Sequence, residues 1–120
     1  MGLVSLDRDQ GNLVTSQYSA GRGPVLRSDH CELVKARFSA GSGAELHSHP
    51  EEQIVYCLEG RLEAVIGEGE EAERFVIEPG EASFHSSNVP HGVVALVDSV
   101  VLSFKIRESD QIYQATGGLS

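Results

Sequence analysis

Residues 41–60 read Gly41-Ser42-Gly43-Ala44-Glu45-Leu46-His47-Ser48-His49-Pro50-Glu51-Glu52-Gln53-Ile54-Val55-Tyr56-Cys57-Leu58-Glu59-Gly60, and this stretch decides the fold. On an extended chain, residues two apart point to the same side. His47, His49 and Gln53 therefore share a face if the backbone stays extended or bends gently, and Val55 and Cys57 continue that parity. Ile54, Tyr56 and Leu58 fall on the other side. Neutral imidazoles are common ligands for divalent transition metals, and a carboxamide oxygen can complete such a set. His91, far downstream, offers a third imidazole. Burying several imidazoles without a shared partner is costly, so a metal is expected; a polar cluster without an ion is the alternative. Glu51 and Glu52 rival Gln53 as the fourth ligand, although Glu51 follows Pro50 closely.

Working outward, short alternating segments are broken by glycine turns, the pattern of an all-β sandwich or barrel. Strands are expected over residues 31–39, 53–59, 61–66, 74–77, 82–85, 92–97 and 100–107, with a possible strand at 13–20. Gly21-Arg22-Gly23-Pro24 is a turn. Gly67-Glu68-Gly69-Glu70 suits a hairpin that needs positive φ. In the last strand Val100, Leu102, Phe104 and Ile106 share a face, which is read as the inner one, leaving Lys105 and Arg107 as solvated outer charges. If one of those cations instead bends over the barrel mouth, it would anchor a substrate carboxylate. The organisation expected is an arm at 1–24, a barrel at 25–107 and a polar tail at 108–120.

The 120 residues suit one domain, and 40% hydrophobic content is enough for a packed interior. A net charge of −9 argues against nucleic acid or an anionic membrane as the main partner. Residues 1–6 lack a basic, apolar leader pattern, and nothing approaches the ~18 apolar residues of a membrane span. A cytoplasmic protein is expected. Cys31 and Cys57 lack CxxC spacing and read as reduced thiols.

Gly41-x5-His47-x-His49-x3-Gln53-x6-Gly60 resembles the first signature of the cupin superfamily, with Gln53 where many members carry Glu. The second signature appears as Gly80-x5-Ser86-x-Asn88-x2-His91; Ser86 replaces the usual proline, Asn88 the usual glycine and Ala95 the usual final asparagine. Asn88 tolerates the left-handed backbone that such a turn asks of glycine. The resemblance spans residues 31–107 and implies a double-stranded β-helix, all-β, with one metal inside one end of the barrel. His47, His49, Gln53 and His91 would be its ligands, and the ion zinc, nickel, iron or manganese. The ligand run is most similar to small cupins that ketonise unsaturated uronates and to cupin-type polyketide cyclases and isomerases. Val55 stands two after Gln53, where the uronate group has a polar residue.

Three neutral imidazoles and a neutral amide would leave the ion's charge uncompensated, which favours substrate polarisation. The expected activity is a non-redox rearrangement of a small oxygen-rich molecule. A dioxygenase using the same ligands, and a non-catalytic binding or sensor module, are the other classes. Val55, Cys57 and Phe104 are expected to line the substrate pocket. His85 is the candidate proton shuttle, with a partly exposed rim or interface histidine as the alternative. The second apolar face, carrying Ile54 and Tyr56, would be covered in a symmetric homodimer.

Overall fold

The computed structural model describes residues 3, 5–7 and 18–106. Among the described residues nine strands follow in order: β1 (Val25–Arg27), β2 (Cys31–Phe38), β3 (Gly43–His47), β4 (Glu52–Glu59), β5 (Leu62–Ile66), β6 (Glu73–Ile77), β7 (Ala82–His85), β8 (His91–Ala95) and β9 (Ser99–Ile106). A 3-10 turn, Gly69–Glu71, precedes β6. Among the described residues no helix is long and apolar enough to cross a membrane.

The strands form two antiparallel sheets, one ordered β1-β2-β9-β4-β7 and the other β3-β8-β5-β6. Alternation produces this arrangement directly. Along β2, Val34, Ala36 and Phe38 are buried while Leu33, Lys35 and Arg37 between them are only half-buried. Val34, Ala36, Phe38, Cys57, Leu62, Ala64, Ile77, Ala95 and Val101 form the core between the sheets. Leu62 is withdrawn completely from solvent; burying such a side chain stabilises by roughly 1.5–3 kcal/mol. This is the all-β, two-sheet barrel that the sequence predicts.

Two readings change, and a third lies mostly outside the described residues. The strand β1 has no sequence signal, being three exposed residues in register with Leu33. On β9 the inner face is Val101, Ser103 and Lys105, whereas Phe104 is 37% exposed and Ile106 44% exposed on the outside. Phe104 is thus an outer-sheet residue and not a pocket residue. The expected strand at 13–20 falls mostly outside the described residues, as do Arg107 and the tail. Residues 18–20 lie along the β3 edge, where the Glu45 amide donates to the Tyr18 carbonyl at 2.7 Å and the Ala20 amide to the Gly43 carbonyl at 2.9 Å.

Gly41 and Gly60, which frame the histidine stretch, separate two costs. Both have left-handed backbones, at φ 86° and 92°. A Cβ on Gly41 meets nothing within 4 Å, but one on Gly60 would lie 2.5 Å from the Asp98 carbonyl oxygen and 2.7 Å from Ser99 Cα. Gly41→Ala is expected to cost about 1 kcal/mol for the backbone alone. Gly60→Ala is expected to cost about 3 kcal/mol or more, because backbone must also move. Denaturant titration of the two variants checks the order.

Candidate metal centre

The candidate ligands converge from both sheets. His47 ends β3 and is the register partner of His91, which opens β8 in the same sheet. Gln53 lies on β4 in the opposing sheet, between His85 of β7 and Lys105 of β9. His49 sits in the segment that crosses from one sheet to the other. The shared face expected from parity along one extended strand is therefore reached differently, by a chain that changes sheets after His47. Asn88, at φ 63°, adopts the left-handed turn expected of it, and its amide donates to the His49 carbonyl at 2.8 Å. That bond ties the two ligand-bearing loops together.

Each candidate-ligand imidazole is oriented by the backbone. His47 Nδ1 lies 2.5 Å from the Glu45 carbonyl oxygen, His49 Nδ1 2.9 Å from that of Glu51, and His91 Nδ1 2.9 Å from that of Val89. A carbonyl only accepts, so each Nδ1 is a donor and each neutral ring presents an unprotonated Nε2. Burial is the first cause lowering the pKa of all three below the ordinary histidine range, and the nearby Lys105 charge lowers each further. The rings are therefore neutral at pH 7.

Ser103 fixes the fourth group. Gln53 Nε2 donates to Ser103 Oγ at 2.6 Å, which turns Oε1 toward the histidines, 3.2 Å from His49 Nε2 and 3.1 Å from His91 Nε2. Two imidazole lone pairs and an amide oxygen thus face one another with no proton between them. A cation satisfies all of them at once. The candidate ligand atoms of His47, His49 and His91 lie within 4.8 Å of one another, and these three residues could hold a metal ion. Of the rival ligands, Glu52 is exposed on the outer face of β4, and Glu51 Oε1 lies behind His49, 3.7 Å from its Nδ1.

The cavity beside this cluster is walled by Val34, Phe38, Val55, Leu62, Val93 and Val101. Val55 is among the residues that line it. Cys57 points inward but is packed in the core beyond the cavity wall, fully buried, where burial raises its thiol pKa. His85 is 3% exposed and its ring centroid is 4.4 Å from that of His91, so it is a cavity residue and not a rim histidine. Its Nε2 is bonded to Ser83 Oγ at 2.8 Å. Its Nδ1 has no partner among the described residues.

Sequence reasoning missed Ser103 and Tyr18, and gave Lys105 a role at the cavity only as the alternative to a solvated charge. Ser103 was hidden in a strand read by its apolar residues. Lys105, placed in solvent by that reading, lines the cavity with only 17% of its side chain exposed. Tyr18 stacks on His47, with centroids 3.7 Å apart and an interplanar angle of 20°. Ser103 and Lys105 share parity along β9, which groups them on one face but does not say that this face is the inner one.

Burial, followed by the charges of the neighbouring histidines, depresses the His85 pKa to about 4 from 6.5. The unfolded chain therefore binds a proton here at a higher pH than the folded one. The stabilising contribution is complete above pH 6.5 and is lost progressively as pH falls toward 4. Metal-free protein is expected to lose thermal stability between about pH 6.5 and 5, before most carboxylates titrate, and His85→Gln should flatten that slope. Melting curves across this window check it.

No curated protein matches the sequence. The fold is similar to that of an RmlC-like cupin from Shewanella frigidimarina NCIMB 400, at 16% identity and a TM-score of 0.76, covering 93% of this chain and 96% of that one. It is similar to TT1209 from Thermus thermophilus, at 23% identity and a TM-score of 0.69, covering 91% and 100%. KdgF from Halomonas sp. is similar at 25% identity and a TM-score of 0.63, covering 77% and 83%. A family model described as a cupin domain, Cupin_2, matches residues 34–104. That match takes in more than half of the sequence and every candidate ligand, and the chain belongs to the cupin family.

Proposed function

We propose that this cupin is a metal-dependent enzyme that catalyses a non-redox rearrangement of a small oxygen-rich substrate, by isomerisation, cyclisation or ketonisation. One divalent ion, zinc, nickel, iron or manganese, would be held by His47, His49, Gln53 and His91. The observation that carries this reading is the uncharged donor set, three imidazoles fixed at Nδ1 and an amide oxygen fixed by Ser103. A divalent ion in such a set supplies Lewis acidity toward bound oxygens, undiminished by an anionic ligand.

The chain's own residues have distinct tasks in this reading. Val55, Val93 and Val101 exclude water from the reacting molecule. His85 exchanges a proton with the substrate at Nδ1, while Ser83 holds the ring at Nε2. Tyr18 stacks on the His47 ring and lines the cavity with it. The likeness of the ligand run to the uronate-ketonising cupins supports a uronate substrate, and the apolar wall supports a polyketide. Free Cys31 and Cys57 suit a reducing, cytoplasmic setting.

A homodimer belongs to the same reading. It is supported by an apolar row across the outer face of the five-stranded sheet, where Leu26, Leu33, Phe104, Ile54 and Phe84 are successive register partners. Ile54 and Phe84 are 44% and 53% exposed, an unusual concentration of large apolar side chains for a free surface.

Elemental analysis of untagged protein tests the centre. Near-stoichiometric metal is expected in the wild type, with about a tenfold or greater loss of occupancy in His91→Ala and a smaller loss in Gln53→Ala. Turnover of an unsaturated monouronate should proceed equally with and without oxygen. Absence of metal after reconstitution would falsify the enzyme reading, and oxygen uptake coupled to turnover would move the protein to the dioxygenases. In sedimentation velocity the wild type should run as a dimer and Phe84→Glu as a monomer; a monomeric wild type ends the dimer reading.

A further inference from the structure

Among the described residues Lys105 is the one ammonium in the cavity lining, and its environment leaves it under-coordinated. Its Nζ is 3.4 Å from the Tyr18 hydroxyl and 4.0 Å from Glu32 Oε2. Neither contact is a short charge-assisted bond, although only 17% of the side chain remains exposed to solvent. The Glu32 carboxylate is engaged elsewhere. Its Oε1 accepts from Arg27 Nε at 2.7 Å and from Arg27 Nη2 at 2.5 Å, while Glu32 itself is 5% exposed. Arg27 thus draws the carboxylate toward β1 and away from the ammonium. An ammonium has three protons to donate, and a withdrawn one is stabilised only when acceptors receive them.

The position is as telling as the coordination. Lys105 is the register partner of Gln53, and the Tyr18 ring that its Nζ approaches is stacked on His47. The ammonium therefore stands on the cavity wall beside the candidate metal ligands, in a chain whose net charge is −9. Its influence reaches all three ligand histidines, whose pKa values it lowers. The anion that fits has one charge. Glu32, 4.0 Å away, would repel a dianion such as a phosphate ester, and the remaining wall is mostly apolar.

Resting on the reading of the cavity as a substrate site, we infer that Lys105 is its specificity-determining residue and receives a carboxylate of the substrate, with the Tyr18 hydroxyl beside it. The substrate is then a small monocarboxylic acid carrying further oxygens, which favours the uronate class over neutral polyketides. Glu32, held toward β1 by Arg27, stays in place as the anionic neighbour beside which the substrate carboxylate binds.

Calorimetric binding tests this without turnover. The probes are glucuronate, galacturonate and 2-hydroxybutyrate, each beside its methyl ester, with glucose 6-phosphate as the dianion. Metal content is measured on the same samples. Wild type should bind the acids about tenfold or more tightly than the esters and than the phosphate. Lys105→Met should abolish the acid preference, Lys105→Arg should keep most of it, and Glu32→Gln should strengthen acid binding several-fold. The gain in Glu32→Gln keeps the test decisive if Lys105→Met does not fold. Equal binding of acid and ester, retention of the preference in folded Lys105→Met, tighter binding of the phosphate, or no binding of any probe overturns the assignment. A Lys105-dependent preference in protein that takes up no metal leaves the anchor standing while the metal-enzyme reading falls.

Discussion

The site depends on the way three imidazoles deliver their Nδ1 protons to backbone carbonyls. His47, His49 and His91 bond to Glu45, Glu51 and Val89, each partner within two residues in sequence. Because the acceptors are main-chain atoms, ring orientation is set by the local course of the backbone and needs no additional side chain. This leaves three Nε2 lone pairs aimed into one space, and the rings stay neutral because they are shielded from water. The chemistry open to the cavity follows from that choice of tautomer.

The barrel supplies the second requirement, which is to bring distant residues to one point. Gln53, His85, Lys105 and Ser103 stand on the five-stranded sheet, and His47 and His91 on the four-stranded one. The backbone bond from Asn88 to His49 joins the two loops, and the Ser87 hydroxyl donates to the Pro50 carbonyl beside it. The centre is held by main-chain geometry at one end and by packed apolar side chains at the other. That division separates stability from function: the core residues set the spacing of the sheets, and the polar residues above them set what the cavity can hold.

Most of the strands were legible because polar and apolar residues alternate between glycine turns, as in the run Leu62, Ala64 with Arg61, Glu63. The histidines that come together, His47, His49 and His91, were legible through the resemblance of their run to the cupin signatures. The face of β9 was not. The five-stranded sheet is apolar on both sides, so the alternation of Leu102, Phe104 and Ile106 with Ser103 and Lys105 identifies two faces without saying which is inner. Here polar residues won the interior, because Ser103 meets the Gln53 amide and Lys105 meets Tyr18 and Glu32. Those partners lie far away in sequence, so no local window contains them. Strand β1 was missed for the opposite reason: its three residues are all exposed, and it exists through pairing with β2.

The Ser103 hydroxyl has a further consequence. The two ends of a carboxamide are nearly identical in shape and opposite in polarity. Reversed, Gln53 would offer N–H donors to the lone pairs of His49 and His91, and the cluster would be content by itself. Ser103 receives the NH2 end and so keeps three acceptors in mutual opposition. The arrangement on its own is thereby frustrated, and the protein carries in its resting structure a standing demand for positive charge at that point.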